Sequence, residues 1–133
     1  MRHLFFFAVL FSFLSCNSKD GDWEPMEWKV DASADLKKDH IAVPESGGVY
    51  TLYCKNYATF WLSSVFEDGV QIELDSTARS AAKGMWSSIE IRKKAMIVVI
   101  SPNDGNLSRR LSVTPTAGDV FSYFIFKQKG KED

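Results

Sequence analysis

The chain has 133 residues, of which 45% are hydrophobic, and carries 16 basic against 17 acidic side chains. This length predicts one domain after any leader, large enough to bury a core without help from a metal or disulfides. The near-neutral charge disfavours a nucleic-acid-binding protein, which presents a basic surface.

The first sixteen residues have the pattern of an export leader. Arg2 supplies a positive charge, residues 4–14 are an apolar run, and the small Ser15 precedes Cys16. The run fits a signal peptide and is too short to span a bilayer. Because the pattern resembles a bacterial lipoprotein signal, we predict that residues 1–15 are removed and that Cys16 carries lipid. The alternative is an ordinary secretory signal with an incidental cysteine.

A polar segment, residues 16–40, follows and predicts a lipidated tether. Its cluster NSKDGD, residues 17–22, is similar to the acidic export signal of surface lipoproteins. That similarity implies an outer membrane lipoprotein exposed at the cell surface, with a periplasmic orientation as the alternative. Anchoring is expected to come from the lipid, because the sequence has no polybasic patch.

Two tryptophans interrupt the tether in DWEPMEW, residues 22–28. Aromatic side chains seldom stay in water, so we expect Trp23 or Trp28 to pack against the domain. Residues 26–30 are then expected to add an edge strand. The alternative is a docking peptide for a partner protein.

The domain is predicted to be all-β over residues 41–133, because apolar residues alternate with polar ones between turn signals. Seven or eight short strands at this spacing indicate a two-sheet β-sandwich. One strand, residues 95–101, is apolar on both faces and is expected to be central and covered on both sides. Cys54 shares a strand face with Tyr50 and Leu52 and is expected to be buried.

The segment STARSAAKG, residues 76–84, breaks this alternation. Ser76 or Thr77 is a candidate helix N-cap, and Gly84 is a candidate stop. We predict a short helical turn near residues 77–83.

Few side chains suit catalysis or metal binding. His40 is the single histidine after the leader, and no CxxC, HExxH or GxSxG pattern occurs. The acids fall mainly in turns or on wet strand faces, which disfavours a glycosidase carboxylate pair. Asn103 and Asp104 offer oxygen ligands, but the calcium-loop spacing is absent. We therefore expect no enzyme activity, no catalytic residue, no cofactor and no metal.

Aromatic residues are the better candidates for ligand binding. Exposed rings stack on sugar faces while neighbouring polar groups bond the hydroxyls. Tyr53 and Tyr57 share the face opposite Leu52, and Trp61 follows nearby. We predict a small aromatic platform of Tyr53, Tyr57 and Trp61. The alternative is that Tyr53 packs on the second sheet and Trp61 is a core anchor.

Three stretches resemble a BACON-type domain, an immunoglobulin-like β-sandwich found in surface lipoproteins of Bacteroidetes. They are PESGGVYTL (44–52), YATFWLSS (57–64), and IVVISPNDGNLSRRLSVTP (97–115) with the following FSYFIFKQKG (121–130). The last pair contains an Asn-containing turn, an Arg that opens the next strand, and a final strand ending in Gln128. The Ala-rich segment 78–83 with Trp86 departs from the family pattern. The resemblance implies an immunoglobulin-like fold and an association with carbohydrate.

These features together predict a non-enzymatic, lipid-anchored protein of the cell envelope. Its expected function is that of an accessory module that binds glycan or glycoprotein. The alternative is a structural or protein-interaction spacer that docks to an envelope protein through a sheet edge or the Phe-rich last strand. The expected contacts are the membrane, through lipid, and a glycan or envelope protein, but no nucleic acid.

Overall fold

The computed structural model describes residues 24–31, 34–75 and 77–131. All regular structure in these ranges is β-strand, and none of it forms a helix long and apolar enough to cross a bilayer. The strands are β1 (Trp28–Val30), β2 (Asp35–Leu36), β3 (Ile41–Val43), β4 (Gly48–Cys54), β5 (Trp61–Glu67), β6 (Val70–Gln71), β7 (Ala81–Lys83), β8 (Ser87–Arg92), β9 (Ala95–Ile100), β10 (Arg109–Ala117), β11 (Val120–Phe121) and β12 (Phe124–Gln128).

The strands form two sheets, which confirms the predicted β-sandwich. The five-stranded sheet has the order β1-β4-β9-β8-β7 and is antiparallel throughout. The seven-stranded sheet has the order β2-β3-β12-β10-β5-β6, and β11 pairs with β10. β12 and β3 run parallel. The strand count exceeds the predicted seven or eight because several strands are only two or three residues long.

The core lies between the inner faces of the sheets. Because side chains alternate along a strand, every second residue of a central strand points inward. In the five-stranded sheet the inward residues include Leu52, Met96 and Val98, and in the other sheet Leu111 and Val113, all fully buried. Cys54 is a buried free thiol, as predicted.

Strand β9 is central, as predicted, but it is not covered on both sides. Its inward residues Met96 and Val98 are buried, while Val99 on the opposite face is 38% exposed. In a two-layer sandwich the outer face of each sheet meets solvent. The prediction of double coverage is therefore wrong among the described residues.

The sandwich begins before residue 41, so the predicted boundary between tether and domain lies too late. Met26 is buried, and β1 pairs with β4 as an edge strand, which confirms the edge-strand prediction. The Trp28 ring makes edge-on contacts with Phe60 and Phe124, each at 5.1 Å between centroids. Burial of these rings draws the chain onto the sandwich. The leader and Cys16 lie outside the described residues.

The helical turn predicted near residues 77–83 is wrong. Arg79 N–H donates to the Asp75 carbonyl at 3.0 Å, but Arg79 has a positive φ of 53°, which stops helix propagation. Residues 81–83 are strand β7, paired with β8, and Ala82 is buried in the core. Tertiary pairing thus overrides the helix propensity of alanine.

Candidate functional site

The residues of the predicted aromatic platform do not share one surface. Tyr53 is 48% exposed on the outer face of the five-stranded sheet. Trp61 begins β5 in the other sheet and is half-buried. Tyr57 is half-buried in the connecting loop, where its hydroxyl donates to the Glu24 carbonyl at 2.6 Å. The loop carries the chain from one sheet to the other, and the sequence pattern does not reveal such a crossover.

Polar residues of the stretches 97–115 and 121–130 meet at one end of the sandwich, around the buried Gln128. Its Nε2 donates to the carbonyls of Pro44 at 3.1 Å, Glu45 at 3.3 Å and Ser101 at 2.9 Å. Its Oε1 accepts from Arg109 Nε at 2.6 Å. Because Ser101 follows β9 and Gln128 ends β12, this side chain connects the two sheets.

Arg109 completes that network. Its Nη2 donates to the carbonyls of Ser101 and Pro102 at 2.9 and 3.0 Å, and its guanidinium lies 4.3 Å from the Trp86 ring centroid. Burial lowers the pKa of Arg109, and the negative charges of Asp68 and Glu67 oppose that shift. Arg109 is therefore held by the protein rather than offered to a ligand.

The turn that contains Asn103 is also closed by its own side chains. Asn103 Nδ2 donates to the Leu107 and Lys129 carbonyls, and Oδ1 accepts from Gly105 N–H at 3.1 Å. These bonds occupy the amide, which favours a structural turn over a calcium ligand. Among the described ranges, no three His, Cys, Asp or Glu side chains cluster in a way that suits a metal.

A cleft of about 970 Å³ lies at the same end of the molecule. Its lining combines outward-facing residues of the seven-stranded sheet with Gly47 to Tyr50 at the start of β4. On the outer face of the seven-stranded sheet, strand register aligns one continuous row of side chains. We name it the charged row: Asp35 on β2, Ala42 on β3, Lys127 on β12, Arg110 on β10 and Asp68 in the turn after β5.

The register explains why the charged row faces outward. Ile41 and Val43 flank Ala42 and are buried, and Phe126 and Gln128 flank Lys127 and are buried as well. Strand alternation then turns Ala42 and Lys127 to the outer face. Arg110 is exposed next to the buried Leu111 and lies directly opposite Lys127.

The acids near the cleft already have partners. Asp68 Oδ1 accepts from Arg110 N–H at 2.7 Å, and Asp35 lies 3.5 Å from Lys37 Nζ. Asp39 is hydrogen-bonded to His40 Nδ1 at 2.7 Å, which lowers the pKa of Asp39, and the charge of Lys127 lowers that pKa further.

The cations at the centre of the row have no such direct partner among the described residues, and the charge of Asp39 acts on Lys127 only at longer range. In residues 24–31, 34–75 and 77–131, no carboxylate lies within ion-pair distance of Lys127 or the Arg110 guanidinium. Two like charges on directly opposite residues repel each other.

The N-terminal part of the described chain lies at the other end of the sandwich. Glu27 N–H donates to Asn56 Oδ1 at 2.8 Å, and Trp28 Nε1 donates to Ser122 Oγ at 2.8 Å. These contacts lie beyond the end of β4 and before the start of β12. The cleft lies at the opposite ends of the same strands, near Gly48 and Gln128.

The amino-acid sequence shows only part of the pattern that forms the cleft. Arg110 alternates with the apolar Leu111 and Val113, which identifies a wet strand face. The neighbours that complete the row come from β3 and β12, and only the non-local strand order places them beside Arg110.

The fold defines the class of the protein as an immunoglobulin-like β-sandwich, as predicted. The M4 domain of titin has a TM-score of 0.50 to this structure at 8% identity, over 81% of this chain and 98% of that domain. A protein from Bacteroides thetaiotaomicron with an NMR structure has a TM-score of 0.73 at 35% identity, over 83% of this chain and 91% of that one. The chain belongs to the same family as this Bacteroides protein. Neither a scan of protein-family models nor a search of curated proteins found a match.

Proposed function

We propose that this protein is a non-enzymatic, lipid-anchored protein of the cell envelope whose sandwich binds glycan or glycoprotein. The observation that carries the proposal is the cleft, lined in part by charged side chains, at the end of the sandwich remote from Glu24. A chain anchored through its N-terminal segment presents that end away from the membrane. Concave sites with a few convergent polar groups are the usual location of ligand binding.

The anchoring part of the proposal rests on the leader and on Cys16. Residues 17–23 separate Cys16 from the described sandwich and supply the tether. In a bacterial host, metabolic labelling with a palmitate analogue is expected to label the full chain and the Cys54→Ala variant. Cys16→Ala is expected to lose the label. A label retained by Cys16→Ala would exclude lipidation at this residue.

The binding part is tested with a panel of neutral and acidic polysaccharides by isothermal titration calorimetry. We expect at least one polysaccharide to bind, and a variant with Ala42→Trp to bind it less because the indole fills the cleft. Thr51→Trp, on the outer face of the other sheet, is the matched control and is expected to bind normally. A panel without any binding polysaccharide contradicts the proposal.

The proposal includes the absence of catalysis. Polysaccharides that bind are expected to be recovered at unchanged length after prolonged incubation. New reducing ends that appear with the purified protein contradict this part.

We also propose that the domain is of the BACON type. Asn103, Arg109 and Gln128, which belong to the motifs behind that resemblance, join in the network that closes the sandwich.

The second candidate function is a spacer that docks to an envelope protein through the five-stranded sheet. The supporting observation is that Val49, Tyr53 and Val99 are exposed on its outer face, where Val49 is paired with Val99. Docking through the Phe-rich last strand has less support, because β12 lies between β3 and β10 and Phe126 is buried. A Val99→Lys variant that loses a cross-linked envelope partner but keeps polysaccharide binding would favour the spacer.

A further inference from the structure

The charged row contains an ordered sequence of charges rather than a uniform patch. Asp35 and Asp68 stand at the two ends, Lys127 and Arg110 are adjacent near the middle, and Ala42 separates Asp35 from Lys127. All five residues line the cleft. The arrangement therefore offers a positive centre, a small side chain beside it and hydrogen-bond acceptors at both ends.

We propose that the charged row binds a sugar residue that bears a carboxylate or sulfate group, so that the ligand is an acidic glycan. This inference rests on the glycan-binding function above and specifies its substrate class. The anionic group is placed on Lys127 and Arg110, and the sugar hydroxyls donate to Asp35 and Asp68.

The chemistry of the side chains fits each part of such a ligand. The Arg110 guanidinium is a planar fork that matches carboxylate and sulfate oxygens, and Lys127 adds a second positive charge. A carboxylate has about four acceptor sites. Asp68 therefore keeps acceptor capacity although one oxygen accepts from Arg110 N–H. The methyl group of Ala42 leaves room for a sugar ring over β3.

The energetics favour an anion over a neutral or cationic ligand. Lys127 and Arg110 are opposite partners in the register and have no carboxylate within ion-pair distance among the described residues. An anion between them replaces mutual repulsion with two attractions. The acids at the ends limit this attraction to one anionic group per site, because a second group would lie beside Asp35 or Asp68.

The experiment compares polymers with matched backbones and different charge. Calorimetry of the full chain uses dextran and dextran sulfate as one pair, and fully methyl-esterified polygalacturonate and polygalacturonate as the other. The test variant is Arg110→Gln/Lys127→Gln. The control is Lys29→Gln/Lys83→Gln, which removes the same charge from exposed positions on the other sheet.

We expect one of the charged polymers to bind and its neutral partner to bind at least about tenfold more weakly, a factor that corresponds to 1.4 kcal/mol. The test variant is expected to lose about tenfold or more in affinity for the charged polymer, and the control to change little. Raising salt from 0.1 M to 1 M shortens the screening length from about 10 Å to about 3 Å and is expected to weaken binding. Sulfate and carboxylate are distinguished by which of the two charged polymers binds.

Two results overturn the inference. One is equal loss of affinity in the test and control variants, which indicates attraction by overall charge. The other is binding of neutral polymers that the test variant leaves unchanged, which retains glycan binding but removes its acidic class. If no polymer binds, neutral or charged, the proposed function itself fails.

Discussion

Glu67 shows how a single buried side chain positions a turn. It ends β5, yet its Oε1 accepts from Met85 N–H at 2.9 Å, and its Oε2 accepts from Trp86 N–H at 3.0 Å and from Ser87 Oγ at 2.6 Å. A Cβ added at Gly84 would collide with this carboxylate. The absence of a side chain at residue 84 thus lets the turn close onto Glu67, which joins the two sheets.

We expect Glu67→Ala to lower the free energy of unfolding by about 2–4 kcal/mol, because it leaves the buried Ser87 hydroxyl and two partly buried N–H groups without an acceptor, and a buried unsatisfied donor costs about 1–3 kcal/mol. Urea denaturation followed by circular dichroism measures this change. Glu73→Ala removes an exposed carboxylate and is expected to change stability by less than about 0.5 kcal/mol. Equal stability of the two variants would show that the turn does not depend on Glu67.

Tyr50 gives a pH-dependent prediction at the same scale. Burial raises its pKa above the ordinary value of 10.0, and the negative charge of Asp35 raises it further. As the pH rises, Tyr50 therefore loses its hydroxyl proton in the unfolded chain before it does so in the folded protein. The contribution of Tyr50 to stability is present below pH 10 and falls as the pH rises above 10. Absorbance at 295 nm is expected to show one tyrosine that loses its proton late as the pH rises. The Tyr50→Phe variant is expected to lack this late phase, and the control Tyr123→Phe to keep it. Asp35→Asn is expected to shift that titration to lower pH.

At the scale of elements, β1 decides where the folded domain begins. Its register places Trp28 opposite Cys54 and Val30 opposite Leu52 at the open edge of β4. Trp28 also reaches across the core to Phe124 on β12 in the other sheet. A three-residue strand is too short to be stable by itself, so the packing of Trp28 holds it in place.

We expect Trp28→Ala to destabilise the domain by about 2–4 kcal/mol, near the lower part of the range for aromatic truncation because the ring is half-buried. Thermal unfolding measures the loss. Lys29→Ala, on the solvent face of the same strand, is the control and is expected to leave the melting temperature nearly unchanged. A melting temperature unaffected by Trp28→Ala would indicate that β1 is not part of the cooperative domain.

The elements also show what a sequence pattern can and cannot predict. Alternation identified β4, β8 and β10 because one face of each is buried, and that is a local property. The pairing of β12 with β3 and β10 depends on chain segments far apart, so the charged row remained hidden. For the same reason the sequence did not show that Tyr53 and Trp61 of the predicted platform lie on strands of different sheets, with Tyr57 in the loop between them. Local propensity also misled at β7, where pairing with β8 determines the conformation.

At the scale of the whole molecule, the sandwich has two differently built ends. Trp28, Phe60 and Phe124 close one end by aromatic packing, whereas Gln128 and Arg109 close the other by hydrogen bonds. The inferred binding site lies at the hydrogen-bonded end, where bonds from Gln128 and Arg109 to backbone carbonyls add to the packing of Tyr50 on Phe126. At this end, Gln128 both joins the two sheets and fixes the position of the β12 terminus.

We expect Gln128→Leu to lower the free energy of unfolding by about 2–4 kcal/mol, because Arg109 Nε then loses its acceptor and the Pro44, Glu45 and Ser101 carbonyls each lose one of two donors. Tryptophan fluorescence, recorded for variant and control in a background in which Trp23, Trp61 and Trp86 are replaced by Phe, reports on Trp28 at the remote end, and circular dichroism reports on the whole sandwich. In a single cooperative domain, the unfolding transitions reported by the two probes are expected to shift together to a lower urea concentration. The control, Lys129→Leu, alters an exposed side chain at the same end and is expected to shift neither. Separate transitions in Gln128→Leu would mean that the two ends unfold independently, and the cleft could then open without loss of the aromatic end.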